Sequence, residues 1–252
     1  MKISIITVCY NSEKTIGDTL VSVRKQDYDN IEHIIVDGLS TDSTLAVVAA
    51  EGAHVKKVVS EKDKGIYDAM NKGIALATGN VIGFINADDF YPSPDVLTVV
   101  AAAFSASGTD CCYGDLCYVR QDDVSKTVRY WRSAPFVPGN FGVGWCPPHP
   151  TFFVRREVFA RLGGFDLSFK IAADFELMAR YMEAAHISSH YIPKVLVKMR
   201  LGGTTNRSLS NVFKQNVEIR RALLKIGSQS SLIGFLLNKI FIRALQFFRR
   251  PV

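Results

Sequence analysis

The sequence contains no CxxC pair, and its cysteines, Cys9, Cys111, Cys112, Cys117 and Cys146, are odd in number. This argues against a disulfide framework and against a zinc site. The expected compartment is therefore reducing and cytoplasmic. No stretch reaches the roughly 20 consecutive apolar residues that a membrane span needs. The opening "MKISIITVCYN" has one lysine and a short apolar run but no small-residue cleavage site, so it reads as a first strand, not a signal peptide. Internal repeats and low-complexity linkers are also missing. What remains is ordinary for a globular chain of 252 residues: 48% hydrophobic and 21% charged, enough for one large α/β domain or two small ones. The net charge of +6 raises nucleic acid, anionic lipid and phosphate-bearing substrates as partners. No nucleic-acid recognition motif accompanies that charge, so nucleic acid is not expected.

The first half alternates strand and helix signals. Residues 3–10, 31–37, 55–61 and 80–86 read as strands, the first two buried on both faces. Helical patterns occupy 11–26, 40–52 (stopped by Gly52), 65–79 (ended by Gly79) and 94–107 (behind Pro92 and Pro94). This order implies a mainly parallel, doubly wound sheet, with ligands beyond the carboxyl ends of its strands. After residue 108 the pattern changes. "CCYGDLCYVRQDD" and "SKTVRYWRSAP" read as an antiparallel pair. A Pro/Gly-rich loop over 134–150 has the length of a binding loop, 171–185 reads as a helix, 189–200 as a strand, and the chain from about 208 as helical.

Strand two ends in Asp37 and strand four in "NADD", with Asp88 and Asp89, so these acids share the ligand edge. Paired carboxylates repel, and a divalent cation, a hard ion that takes oxygen ligands, would cancel that repulsion and favour a diphosphate. On position alone, a solvated turn accounts for "DDFYPSPD" equally well.

Five stretches occur in one order: "SIITVCYNSEKTI" (4–16), "EHIIVDGLSTDST" (32–44), "EKDKGIYDAMNKGIALATGNVIGFINADD" (61–89), "HPTFFVRREVFARLGGFD" (149–166) and "AADFELMAR" (172–180). Together they resemble the inverting nucleotide-sugar glycosyltransferases of family 2, with the Rossmann-like GT-A fold, and in particular bacterial enzymes building exopolysaccharide, O-antigen or colanic-acid-like units. The resemblance implies a UDP- or GDP-sugar donor, Mn2+ or Mg2+, and a glycan acceptor. It places Thr7, Tyr10, Asn11, Asp37, Asp63, Lys64, Asp68 and Asn71 around the nucleotide, and Asp88 and Asp89 at the metal and ribose. Asn86 departs from the acid often found there. Domain organisation follows as 1–205 for the transferase (1–108 for the nucleotide sugar, 109–205 for the acceptor) and 206–252 for a helical tail.

An inverting transfer is a single displacement, in which a general base takes the proton of the acceptor hydroxyl. The resemblance gives this role to Asp174, with Glu176 second. Without it, Asp174 reads first as the N-cap of the following helix. His149 is either structural or near the acceptor and diphosphate, Trp145 could stack on a sugar ring, and Gly163, Gly164 and Asp166 form a turn that orients the base region. In "MRLGGTTN" (199–206), Arg200 could meet the diphosphate from a flexible segment, though Gly202 and Gly203 fit a simple turn better. Residues 231–250, apolar with Lys239, Arg243, Arg249 and Arg250 interspersed, read as an amphipathic helix on an anionic membrane surface; packing on the domain or in a dimer is the alternative. A lipid-linked acceptor at the cytoplasmic face of the inner membrane would suit that placement. Two rivals stand beside the transferase. A sugar nucleotidyltransferase needs a Gly/Arg-rich triphosphate loop that "TVCYNSEKTIG" does not provide. A non-catalytic scaffold is spoken against by the retained Asp88, Asp89 and Asp174.

Overall fold

The computed structural model describes residues 1–202, 209–228 and 232–248. Its first half alternates β1 (Ile3–Cys9), α1 (Ile16–Arg24), β2 (Ile31–Asp37), α2 (Thr44–Glu51), β3 (Val55–Ser60), α3 (Ile66–Leu76) and β4 (Val81–Phe84). Then follow β5 (Asp89–Phe90), α4 (Val96–Ser107), β6 (Cys111–Val119) and β7 (Thr127–Trp131). Two 3-10 turns (Asn140–Val143 and His149–Thr151) lead into β8 (Phe153–Arg155), α5 (Arg156–Leu162) and α6 (Ala173–Ala179), which runs on as a π turn over Arg180–Ala184. The chain continues with β9 (Ser189–Arg200), α7 (Leu209–Lys225) and α8 (Leu232–Phe248).

Among the described residues one sheet holds the strands in the order β3-β2-β1-β4-β8-β6-β9-β5, with β7 on the free part of β6. The first four run parallel, as alternation with helices requires. Every residue of β1 is buried, and the strand's period of two divides them. Ile6 and Val8 meet Ala69 and Met70 of α3 in one core, whereas Ile3 and Ile5 meet Val96, Val100 and Phe104 of α4 in another. β3 is the edge, and its exposed Lys56 and Lys57 discourage pairing with another chain.

Two strands escaped the sequence reading. β8 enters antiparallel between β4 and β6 (Ile82 opposite Val154, Cys111 opposite Val154), and β5 pairs with β9 (Asp89 opposite Met199). The close seating of Phe153 on β4 requires Gly83, because a Cβ there would run into the Phe153 ring. The predicted β6–β7 antiparallel pair is present. All five cysteines are free thiols.

The tail helices pack on the domain along one face. Ile219, Ala222 and Leu223 of α7 and Phe235 of α8 are buried in the same core as Phe169, Phe175 and Phe141. Asn238 Nδ2 donates to the Val143 carbonyl at 2.6 Å, and Arg129 Nε to Gln246 Oε1 at 2.6 Å. Phe213, Val217 and Leu224 of α7 and Ile240, Phe241 and Phe247 of α8 are exposed on the outside. The expected 205/206 boundary, Gly203 and the rest of the "GTTN" segment, Arg249 and Arg250 lie outside the described residues. Among the described residues no helix is long and apolar enough to cross a membrane.

Candidate functional site

Strands β1, β2 and β4 bring their carboxyl ends to one edge: Cys9 stands opposite Asp37, and Ile6 opposite Phe84. Beyond β1, Tyr10 is 62% exposed. Asn11 takes the left-handed conformation (φ 49°), which Asn tolerates better than most residues. Its Oδ1 accepts the Thr41 N–H at 2.9 Å and its own N–H donates to Ser40 Oγ at 2.9 Å, tying the two strand ends together. Asp63 accepts the Gly65 N–H at 2.8 Å and lies against Gly38, where a Cβ would stand 2.6 Å from Asp63 Oδ2. Lys64 is exposed, and its N–H donates to Asp68 Oδ2 at 2.9 Å, so Asp68 fastens the start of α3.

Three residues expected at the nucleotide are engaged by the protein itself. Thr7 is fully buried, and its hydroxyl lies 2.9 Å from His33 Nε2, because its place on β1 points it into the sheet's covered face. Asn71 spends both ends of its amide on the backbone of Phe165, donating at 2.9 Å and accepting at 2.8 Å. It holds the Gly163–Asp166 turn against α3. Asp37 is fully buried; it accepts from the Ser40 N–H at 3.0 Å and the Ser60 hydroxyl at 2.6 Å, with Ser40 Oγ also on it. Burial alone would raise its pKa, yet these hydrogen bonds bring it below the usual value. Asp37 thus clasps the 38–41 turn.

The acids after β4 occupy the same edge. Asp88 is half-buried and Asp89 fully buried. Asn86 Nδ2 donates to Asp89 Oδ2 at 3.0 Å, leaving Asp89 Oδ1 and Asn86 Oδ1 buried without a partner. Burial, and after it the Asp88 charge, push the Asp89 carboxyl well above the usual range. An orphaned amide oxygen and an orphaned carboxylate oxygen, with the Asp88 carboxylate next in the chain, are the hard donors a divalent cation takes. The described residues assemble no group of three or more His, Cys, Asp or Glu for a metal. An ion held by Asp88, Asp89 and Asn86 would need further oxygen donors from outside the protein, as Mg2+ commonly does with one or two carboxylates. Arg200 stands behind these acids: Nη1 donates to the Asp88 carbonyl at 2.9 Å, Nη2 pairs with Asp18, and the guanidinium lies 5.1 Å over Phe90. It is 6% exposed and acts here as a strut for the loop.

Across the edge stands Asp174, half-buried on the first turn of α6. It caps no N–H beyond that of its neighbour Phe175 (2.8 Å). The Tyr67 hydroxyl lies 3.2 Å from Asp174 Oδ1 and 2.9 Å from the Ile171 carbonyl. Burial, and next the Asp174 charge, raise the Tyr67 pKa well above its ordinary value, so the phenol remains a donor. Glu176 is buried and already paired, with Arg180 Nε at 3.0 Å and Lys225 Nζ at 2.7 Å, so Asp174 is the more available carboxylate. His149 is stacked on Phe84 (5.5 Å) and meets the edge of Phe165 (5.5 Å). Burial lowers its pKa against the pull of Asp174, which keeps the imidazole neutral near pH 7. Trp145 is half-buried among Tyr113, Phe136 and Phe141.

Tyr67 was missed from the sequence, although a signal existed. Tyr67 and Asn71 are four apart on α3 and so share a face. That face meets the 165–174 segment through both side chains.

The family model described as Glycosyl transferase family 2 matches residues 4–163. A glycosyltransferase of Mycobacterium tuberculosis is 35% identical over 180 residues, 71% of this chain and 68% of the relative. A PGL/p-HBAD biosynthesis glycosyltransferase of Mycobacterium bovis is 28% identical over 227 residues, 87% of this chain and 85% of the relative. Among solved structures, TarS 1–349 of S. aureus in complex with UDP-GlcNAc superposes with a TM-score of 0.69 at 19% identity, over 96% of this chain and 71% of that one. The mannosyltransferase of Pyrobaculum calidifontis in complex with GDP-Man and Mn2+ superposes with a TM-score of 0.67 at 20% identity, over 96% of this chain and 69% of that one.

Proposed function

Because the chain belongs to glycosyl transferase family 2, we propose that it moves a sugar, with inversion, from a nucleoside-diphosphate sugar to a glycan acceptor of a surface polysaccharide or glycolipid. One observation carries this reading. Helix α3 joins two separate carboxylate groups, beginning beside Asp63 at the nucleotide edge and presenting Tyr67 to Asp174 on the far side. The likeness to proteins solved with UDP-GlcNAc and with GDP-Man supports the donor class. The M. bovis relative supports a biosynthetic role.

In the mechanism, Tyr10, Asn11, Asp63 and Lys64 receive the nucleotide, the turn clasped by Asp37 shapes its base pocket, and Asp88 and Asp89 stand at the ribose. Asp88 and Asp89, with Asn86, would hold Mn2+ or Mg2+, which supplies positive charge at the leaving diphosphate. The acceptor hydroxyl attacks the anomeric carbon opposite the diphosphate. Its proton passes to the Asp174 carboxylate, a new C–O bond forms, and the old anomeric C–O bond leaves with its electron pair on the phosphate. Tyr67 orients Asp174, neutral His149 lines the floor, and Trp145 offers a ring for an acceptor sugar.

A thermal-shift screen against UDP, GDP, dTDP and CMP, with and without manganese, tests the donor site. One nucleotide at about a hundred times its Kd is expected to raise Tm by about 5–10 °C, in a manganese-dependent way. No shift for any nucleotide in either condition would overturn the reading.

The outer faces of α7 and α8 support docking on an anionic membrane at the cytoplasmic side, where a lipid-linked acceptor would lie. Phe213, Val217 and Leu224 fall on one helical stripe, with exposed Lys214 beside it. The protein is expected to co-sediment with vesicles containing phosphatidylglycerol and not with phosphatidylcholine alone. F213D combined with F241D is expected to abolish it. Equal recovery of the variant with anionic vesicles would refute the membrane face.

A further inference from the structure

The base lies on a short helix with no side-chain cap of its own. Its entry is instead held from another element. Glu218 of α7 accepts three successive backbone N–H groups: Lys170 at 2.9 Å to Oε1, and Ile171 at 2.8 Å and Ala172 at 2.9 Å to Oε2. Lys170 and Ile171 lead into the helix and Ala172 is its N-cap, a place where N–H groups are ordinarily satisfied locally. Here they depend on a residue 46 to 48 positions away.

Neighbouring contacts extend the grip. Glu218, Arg221 and Lys225 lie three and four residues apart, hence on one face of α7. The Arg221 guanidinium stands 3.9 Å over the Phe169 ring and bonds Ser168. Lys225 Nζ reaches Asp166 Oδ2 at 2.8 Å and Glu176 Oε1 at 2.7 Å. The segment from Phe165 to Glu176, with Asp174 inside it, is thus bound from one side by α7 and from the other by Tyr67 and Asn71 of α3.

We infer that Glu218 is a positioning residue for the transfer: by gathering the N–H groups of residues 170–172 it fixes where the Asp174 carboxylate stands. The inference rests on Asp174 being the base. General-base transfer needs hydrogen-bond reach to the acceptor hydroxyl, and a misplacement of about 1 Å is worth about 10²-fold in rate. Donor binding draws on the opposite edge and does not involve Glu218.

The test measures nucleoside-diphosphate release from UDP-glucose or GDP-mannose, whichever base the nucleotide screen selects, with manganese present and water as acceptor. Glu218→Ala is expected to lower kcat by about 10- to 100-fold, with KM for the donor and the nucleotide-induced Tm shift unchanged. Glu218→Gln, which keeps the shape and one acceptor oxygen, is expected to lose less, and it carries the same test if the alanine variant does not fold. The deciding comparison uses Asp174→Asn. In that background the Glu218 change is expected to have little further effect on kcat, because the group it positions is gone. A full multiplicative loss there, or a wild-type kcat in both Glu218 variants while Asp174→Asn is impaired, would overturn the positioning role alone. A wild-type kcat for Asp174→Asn itself would instead remove the base assignment on which the inference stands.

Discussion

Asp174→Asn is expected to reduce nucleoside-diphosphate release by about 10²- to 10⁴-fold, the usual share of a positioned general base. The substitution keeps the volume and leaves Oδ1 able to accept from Tyr67 and from the Phe175 N–H, the contacts that now hold the side chain. It removes the basic carboxylate. The nucleotide-dependent Tm shift should therefore persist, since its residues lie at the ends of β1, β2 and β4. Retained turnover would reject the base. Loss of turnover together with loss of the shift would mean that the substitution had disturbed the fold. Glu176→Gln is the control that separates the two acids. Glu176 is fully buried and bridges Arg180 and Lys225, so its change should act mainly on stability.

Asp88→Ala is expected to abolish the manganese-dependent Tm shift and to lower turnover on the order of 10³-fold, since charge at the leaving diphosphate contributes several kcal/mol in the transition state. Chelation of the wild-type protein should give the same two losses. Asp88 suits the experiment better than Asp89, because Asp89 is fully buried on β5 and its backbone carbonyl is held by Thr19 Oγ1 at 2.7 Å. Asp88 is half-buried, and its neighbouring contact from Arg200 goes to the main-chain carbonyl. A variant with full manganese dependence would remove Asp88 from the cation's shell.

The legible parts of this protein are those whose physics is local. β1, β2 and β4 are buried runs rich in β-branched residues and alternate with helical patterns, so the parallel half could be read directly. β5 and β8 have two and three residues, too few for any period to register. Thr7 shares a face of β1 with Ile5 and Cys9, and helices cover both faces of that strand, a packing that the strand's own sequence does not contain. The resemblance sets Asn71 beside the nucleotide and Arg200 beside the diphosphate, and neither residue's own stretch of sequence shows what it bonds. Their partners, Phe165 and Asp18, lie far along the chain. The tail's apolar character was plain, but which side of each helix faces the core depends on Phe169, Phe175 and Phe141, which the tail's own sequence does not contain.

The hold of α7 on the 166–176 segment also sets an order of events during synthesis. A chain emerging from its N-terminus can complete β1 to β4 from neighbouring contacts, and, once β9 has paired with β5, the edge proposed for the nucleotide. The segment that carries the proposed base has to wait for Glu218 and Lys225, which lie well after it in the chain. The growing polypeptide would thus be a nucleotide binder before it is a catalyst. A molecule cut ahead of α7 would revert to that earlier state, still able to take up donor but with its carboxylate unaimed.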